Sequence, residues 1–235
     1  MKCVACNSSY LQESIVPRAA FIVERAVIDK SCYSYKCEAC GTTFSHPRYT
    51  ETQMNLIYLN YRGIEYDKMR AKHEPNYQPH VENSESCQRV LNAAEYMLQP
   101  YLKEPRILDV GGFDGLHTPL RHIAAAHHVL DPFTAKLKAG MRVDLPEPPY
   151  DLVVLSNLLE HVSNPYEFLL DWIQHSSKMI YLEVPLANLR RPPSHIHEHQ
   201  IFFTVAGMSL LLERARLRLL DLRIRQRQIL IAAKR

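Results

Sequence analysis

RILDVGGFDG, residues 106–115, runs from a short apolar segment into Gly111, Gly112 and Gly115, three of only 7 glycines in the chain. Chance clustering explains that poorly. A glycine turn after a strand lets backbone approach a ligand closely, and a helix N-terminus beyond it presents free N–H groups. The pattern predicts a nucleotide-like cofactor at the carboxyl edge of a sheet. Asp109 precedes the turn. Asp131 ends the next apolar run in VLDPF, about twenty residues further on, where an acidic side chain can accept both ribose hydroxyl protons. The alternative is a turn that merely packs helix on strand, with Asp131 capping a loop.

Towards the C-terminus, short apolar runs alternate with helical patterns: RILDV, HHVLD, YDLVVLS, KMIYLEVP, LLDLRIRQ and QILIAAK. Buried parallel strands with crossover helices read this way, which predicts an α/β fold with an open, doubly wound, Rossmann-like sheet. The last two runs lie too close for a crossover and are expected to form an antiparallel hairpin at the sheet edge. TVAGMSLLLERA, residues 204–215, supplies a crossover helix. Arg223, Arg225 and Arg227 alternate with other residues, which predicts three arginines on one face of an edge strand.

Towards the N-terminus, residues 51–104 are rich in tyrosine and read as a helical lid or linker. One helix is expected from about Glu51 to Tyr61. A second starts near Ser84, a plausible N-cap, with Val90, Leu91, Ala94 and Met97 on one face. KHEPNYQPHVENS, residues 72–84, reads as a loop between them. Residues 1–50 carry two Cys-x-x-Cys pairs, Cys3 with Cys6 and Cys37 with Cys40. Two such knuckles supply a closed tetrahedral set of four sulfurs for Zn2+. Asn7 and Gly41 follow the pairs and tolerate the positive φ that a knuckle turn requires. Four reduced structural thiols or a redox-active pair are the alternatives. Against redox, neither pair opens a helix in a βαβ pattern. FIVERAVID, between the knuckles, reads as a strand. Cys32 and Cys87 read as ordinary thiols.

Composition bounds the rest. With 46% hydrophobic and 23% charged residues over 235 positions, the chain folds rather than remaining disordered. No apolar run reaches the ~18–20 residues of a membrane span, and MKCVACNSSY lacks the apolar stretch of a secretion signal, so a cytoplasmic protein is expected. A net charge of +3 is far from the basic balance of a nucleic-acid-binding protein.

LDVGGFDG, VLDPF, VDLPEPPYDLVVLSNLLEHV and EVP together resemble the class I methyltransferases that use S-adenosylmethionine (SAM). The likeness covers about residues 105 to 235 and implies a SAM-binding methyltransferase domain there. The paired cysteines, CEACGTTF, the tyrosine-rich stretch and HEH extend it to bacterial sugar and cell-surface glycan methyltransferases with an N-terminal zinc-binding domain. The resemblance implies a backbone cradle for the methionine part of SAM at Gly111, Gly112 and Gly115, with Asp109 holding its amino group. It places Asp131 on the ribose, Asp144 on the adenine amino group, and Ser156 and Asn157 where cofactor and substrate meet. The family's middle glycine is replaced by Phe113. SHIHEHQ, residues 194–200, offers His195, His197, Glu198 and His199; the last three match the family's Tyr-His-Glu-His motif, whose Glu and second His are implicated in deprotonating the acceptor, with Ile196 in place of the tyrosine. A solvated or structural histidine loop, or a second metal site from alternate histidines sharing a face, are the alternatives. The implied acceptor is a nucleotide-activated sugar or surface-glycan intermediate. The alternatives are an RNA methyltransferase gripping RNA through the ribbon, and a SAM-fold binding protein without catalysis.

Overall fold

The computed structural model describes residues 1–74, 77, 85–133, 137–187 and 196–234. In chain order come β1 (Leu11–Pro17), α1 (Ala20–Ala26), β2 (Ser31–Cys37), β3 (Thr43–His46), α2 (Glu51–Tyr58), α3 (Ile64–His73) and α4 (Glu85–Leu98). Then follow β4 (Arg106–Val110), β5 (Ala126–Leu130), β6 (Met141–Arg142), β7 (Tyr150–Ser156) and α5 (Pro165–Ile173). The chain ends with β8 (Ser176–Pro185), β9 (Ile201–Phe202), α6 (Val205–Arg214), β10 (Arg218–Arg225) and β11 (Gln228–Lys234).

The main sheet has the order β10-β11-β8-β7-β4-β5-β6. Its strands from β8 to β6 are parallel, and β11 is antiparallel to both β8 and β10. Strands β4, β7 and β11 are buried along almost their whole length, which is why they read as unbroken apolar runs. The expected hairpin is present, turning at Gln226 and Arg227, both at positive φ. Arg227 therefore lies in the turn rather than on the strand face. Arg223 ion-pairs with Asp221 at 2.9 Å and lies over the Tyr96 ring.

Crossover helices cover the sheet less completely than the alternation predicts. α5 joins β7 to β8 and α6 joins β8 to β10, but only a 3₁₀ turn, Arg121–Ile123, separates β4 from β5. Pro119 has no N–H to donate, it biases Thr118 away from helical angles, and Leu120 is left-handed at φ 61°. The glycine turn is consequently not followed by a helix N-terminus.

The cysteine-rich segment corrects a second expectation. FIVERAVID is not a strand: Phe21, Ile22 and Ala26 are the buried side of α1, and β1 pairs with β2 across it. Its β-branched residues favour strand locally, and burial of one helical face overrides that preference. The four-stranded sheet has the order β1-β2-β3-β9, and β9 belongs to the chain beyond the main sheet's β8. The two sheets are thereby stitched together. Cys3, Cys37, Cys40 and Phe44 share one core with Leu182, Met208 and Leu211. Thr204 Oγ1 donates to Cys40 O at 2.5 Å, and Arg214 Nη1 donates to Ala5 O at 2.6 Å.

Gly207 makes that docking possible, because a Cβ there would stand 2.0 Å from Thr42 Oγ1. Gly207→Ala should cost about 1–3 kcal/mol, the scale of overpacking. Adding Thr42→Ala should restore most of it, since only the hydroxyl collides. Denaturant unfolding of the single and double variants checks this.

α2 starts at a capping box made by Thr50 and Gln53, as its sequence suggests, but ends at Tyr58, where Asn60 and Arg62 take positive φ. α3 was not expected: it buries only Tyr66, so its apolar periodicity is too weak to read. Ser84 lies outside the described residues. α4 follows it and packs Val90, Ala94, Met97 and Leu98 against Ile107, Leu152 and Tyr181 of the main sheet. It is thus a layer of the sheet, whereas α2 and α3 pack with α1 around Tyr49, Ile57 and Tyr66.

Candidate cofactor and acceptor site

A cavity of about 960 Å³ opens over the carboxyl ends of β4, β7 and β8, between α2 and α4. That is near the upper end of the roughly 300–1,000 Å³ usual for ligand sites, leaving space for two ligands side by side. The turn after β4 forms one wall. Gly111 and Gly115 sit at φ 69° and 77°, and added Cβ atoms would meet Leu158 at 2.6 Å and Ala139 O at 2.2 Å. A Cβ on Gly112 would stand 2.5 Å from the Asp109 carboxyl. Internal packing and backbone geometry thus already require these glycines. Phe113, at φ 49°, stands edge-on to Tyr61 at 6.1 Å and under the Arg62 guanidinium at 4.7 Å, so the turn and the helical cap touch.

The stronger pointers to a ligand are polar. Asp109 is 3% exposed; its Oδ2 accepts from Thr118 Oγ1 at 2.5 Å, while Oδ1 has no partner among the described residues. Burial, reinforced by the Asp131 and Glu183 carboxylates, pushes its pKa up to about 7. Asp131 lines the cavity and accepts from the N–H groups of Phe113 and Phe133 at 2.9 and 2.8 Å. Ser156 and Asn157 end β7 on the same wall. Both donate to Glu183 at 3.0 Å, and Tyr181 Oη donates to it at 3.1 Å. Burial raises the Glu183 pKa in spite of these donors. Sequence reasoning missed Glu183 as a site residue; a glutamate inside the apolar run KMIYLEVP was the available signal.

Asp144 is not brought to this wall. It is exposed beyond β6 and its partner is Arg142, at 3.6 Å. The other sequence-selected carboxylates and amides converge; this one does not.

The histidine segment divides. His197 stacks 6.0 Å from Phe21 and pairs with Glu74, away from the cavity lining. Glu198 lines the cavity and pairs with Arg70 Nη1 at 3.5 Å, and Arg70 also holds Glu74 at 3.1 Å. His199 lines the cavity, and burial followed by the Arg70 charge depresses its pKa to about 4. It stands 4.7 Å, centroid to centroid, from His161, itself held neutral chiefly by burial. His195 lies outside the described residues. His161 and Glu160, part of the LLEH block, were not selected as site residues from sequence.

The four paired cysteines come together. Cys3 Sγ lies 3.7 Å from Cys40 Sγ and Cys6 Sγ 3.5 Å from Cys37 Sγ, and all four sulfurs fall within 4.8 Å of one another. A tetrahedron with Zn–S bonds of about 2.3 Å has edges of about 3.8 Å, so the donor set fits zinc. Asn7 and Gly41 have the expected positive φ, 64° and 75°. Their N–H groups donate to Cys3 O and Cys37 O, closing the knuckles.

No protein-family model and no curated protein matches the chain. Solved structures do match. One is a 1,6-didemethyltoxoflavin-N1-methyltransferase from Burkholderia thailandensis, with its acceptor and S-adenosylhomocysteine bound: TM-score 0.56, 13% identity, over 83% of this chain and 95% of that one. Another is the magnesium protoporphyrin IX methyltransferase of Synechocystis PCC 6803 with bound SAH, at TM-score 0.50 and 12% identity over 68% and 90% of the chains. A SAM-dependent methyltransferase from Leishmania major gives 0.51 and 12% over 63% and 72%. The chain has the class I methyltransferase fold. Within that fold the cavity occupies the carboxyl edge, beside the point where strand order reverses between β4 and β7. No described helix is long and apolar enough to cross a membrane.

Proposed function

We propose that the chain is a SAM-dependent methyltransferase for a small-molecule acceptor. The observation that carries the reading is the pair Asp109 and Asp131 at the ends of adjacent strands of a methyltransferase fold, both lining the cavity, the first with a buried oxygen that has no partner among the described residues. Bound SAM would supply the methyl group from a sulfonium centre. Asp109 would hold its ammonium, Asp131 its ribose, and Ser156 and Asn157 would line the meeting point of donor and acceptor. The Asp144 position does not support an adenine contact. Glu183 and Glu198 add negative charge to the wall, which favours a cationic donor.

For the acceptor we propose a nucleotide-activated sugar or surface-glycan intermediate. The resemblance in the cysteine pairs and the His-Glu-His segment supports it. Among the described residues of the cavity wall, Arg62 is the guanidinium available to a diphosphate. Of the His-Glu-His segment, Glu198 and His199 reach the cavity, and His199 presents a neutral imidazole to the acceptor, whose proton must be managed during in-line transfer. The RNA reading draws nothing from the ribbon, whose cysteines are turned into the shared core. Zn2+ on Cys3, Cys6, Cys37 and Cys40 would serve stability.

Calorimetry tests the cofactor. Asp131→Ala should weaken SAM binding by roughly 1.5–3 kcal/mol, the scale of hydrogen bonds to a charged group. Unchanged affinity would place the ribose elsewhere. The pH dependence has a definite sign: with its pKa raised to about 7, Asp109 is protonated below that pH and cannot pair with an ammonium. SAM affinity should therefore rise with pH, by roughly tenfold between pH 6 and pH 8. The slope should vanish in Asp109→Asn.

A further inference from the structure

We infer that Glu160, His161 and His199 form a second metal site, for a divalent first-row transition ion, in the cavity wall. Their donor atoms lie within 4.8 Å of one another. Glu160 is 1% exposed, yet neither carboxylate oxygen has a hydrogen-bond partner among the described residues, an arrangement that is costly unless a cation or proton completes it. Oε1 points to His161 Nε2 at 3.7 Å, too long for a hydrogen bond.

The His161 ring is prepared as a ligand. His161 Nδ1 lies 3.1 Å from the Glu198 carbonyl, which can only accept; the tautomer that satisfies this carbonyl carries its proton on Nδ1 and turns the Nε2 lone pair towards Glu160. Tyr58 Oη stands 3.0 Å from the same nitrogen and steadies the ring. An outer carbonyl fixing the tautomer of an inner imidazole is the usual support of a metal-bound histidine. Burial keeps both rings in the neutral form that binds metal. Donor atoms around one ion at about 2.1 Å stand about 3.0–3.4 Å apart, a separation that small side-chain rotations reach from here. Two imidazoles and one carboxylate suit Mn2+, Fe2+, Co2+ or Zn2+ and leave open positions.

His161 and His199 line the cavity, so an acceptor oxygen can reach such an ion. This consequence rests on the methyltransferase reading and sharpens it: the ion would lower the acceptor's pKa so that its proton passes to solvent and its oxygen takes the methyl group from the sulfonium, with His199 holding the ion instead of taking the proton. Metal binding itself does not depend on that reading.

Full-length protein with zinc on its cysteines, titrated with Co2+, should take up one equivalent per chain with weak d–d absorption and no sulfur charge-transfer band. Glu160→Gln and His199→Ala should each weaken uptake by more than about 100-fold, beyond the roughly 10–100-fold cost of losing an outer ligand. Glu213→Gln, an exposed carboxylate of α6 outside the cavity lining, should leave Co2+ affinity unchanged. If the Glu160 variant does not fold, wild-type protein carries its own check: proton spectra with Co2+ should show paramagnetically shifted imidazole signals from two rings. Uptake only into the sulfur site, unshifted imidazoles, or equal affinity in the variants overturns the inference. SAM calorimetry on the same samples separates the two proposals, because SAM binding without Co2+ uptake defeats this one alone.

Discussion

His199→Ala should lower methyl transfer about 10²- to 10⁴-fold while SAM affinity stays nearly constant, because the imidazole lines the cavity without belonging to the glycine turn proposed to hold SAM. The loss follows whether the ring takes the acceptor's proton or holds an ion that acidifies it. Glu198→Gln should behave differently. Its carboxylate pairs with Arg70, which also holds Glu74, the partner of His197, so this change should loosen the α3 contact and reduce stability as well as rate. A panel of sugar nucleotides, screened by release of S-adenosylhomocysteine, supplies the assay. Parental turnover in both variants would make the segment purely structural.

Cys37→Ser should be the most destabilising single change, by more than about 4 kcal/mol, the range in which loss of a metal site stands out. Cys37 is fully buried and its neighbours in the core include residues of β7, β8 and α6, so the damage should spread beyond the ribbon to the whole fold. The variant should also lose one equivalent of zinc per chain by elemental analysis. Structural zinc contributes folding free energy directly, so chelation should lower the thermal midpoint of the parent chain. Parent protein prepared without chelator and lacking stoichiometric metal at these sulfurs would defeat the zinc assignment.

What could be read in advance follows the range of the forces involved. The strands RILDV, YDLVVLS and QILIAAK stand out because both faces of each are buried, so apolar residues run almost unbroken along them. The knuckles stand out because a metal with fixed bond lengths demands fixed spacing between its ligands. α1 was misread as a strand and α3 was missed for the opposite reason. Each is a short helix whose few buried residues, Phe21 and Ile22 in one and Tyr66 in the other, are selected by a neighbour distant in sequence. The helix expected after the glycine turn failed against a local fact already visible, Pro119, whose weight depends on how few residues lie between β4 and β5.

The sequence by itself determined the parallel-stranded fold, the edge hairpin, the four-sulfur cluster and the wall containing Asp109, Asp131, Ser156 and Asn157, since each rests on periodicity or short fixed spacing. Tertiary structure alone decided that β9 joins the ribbon sheet to the main fold, that Asp144 faces solvent, and that His199 meets Glu160 and His161 while His197 turns away. Alternating side chains on an irregular segment carry no periodic signature of what they face. Only the packing of α2, α3 and the Glu160–His161 turn around that segment sends one histidine into the cavity and the other out.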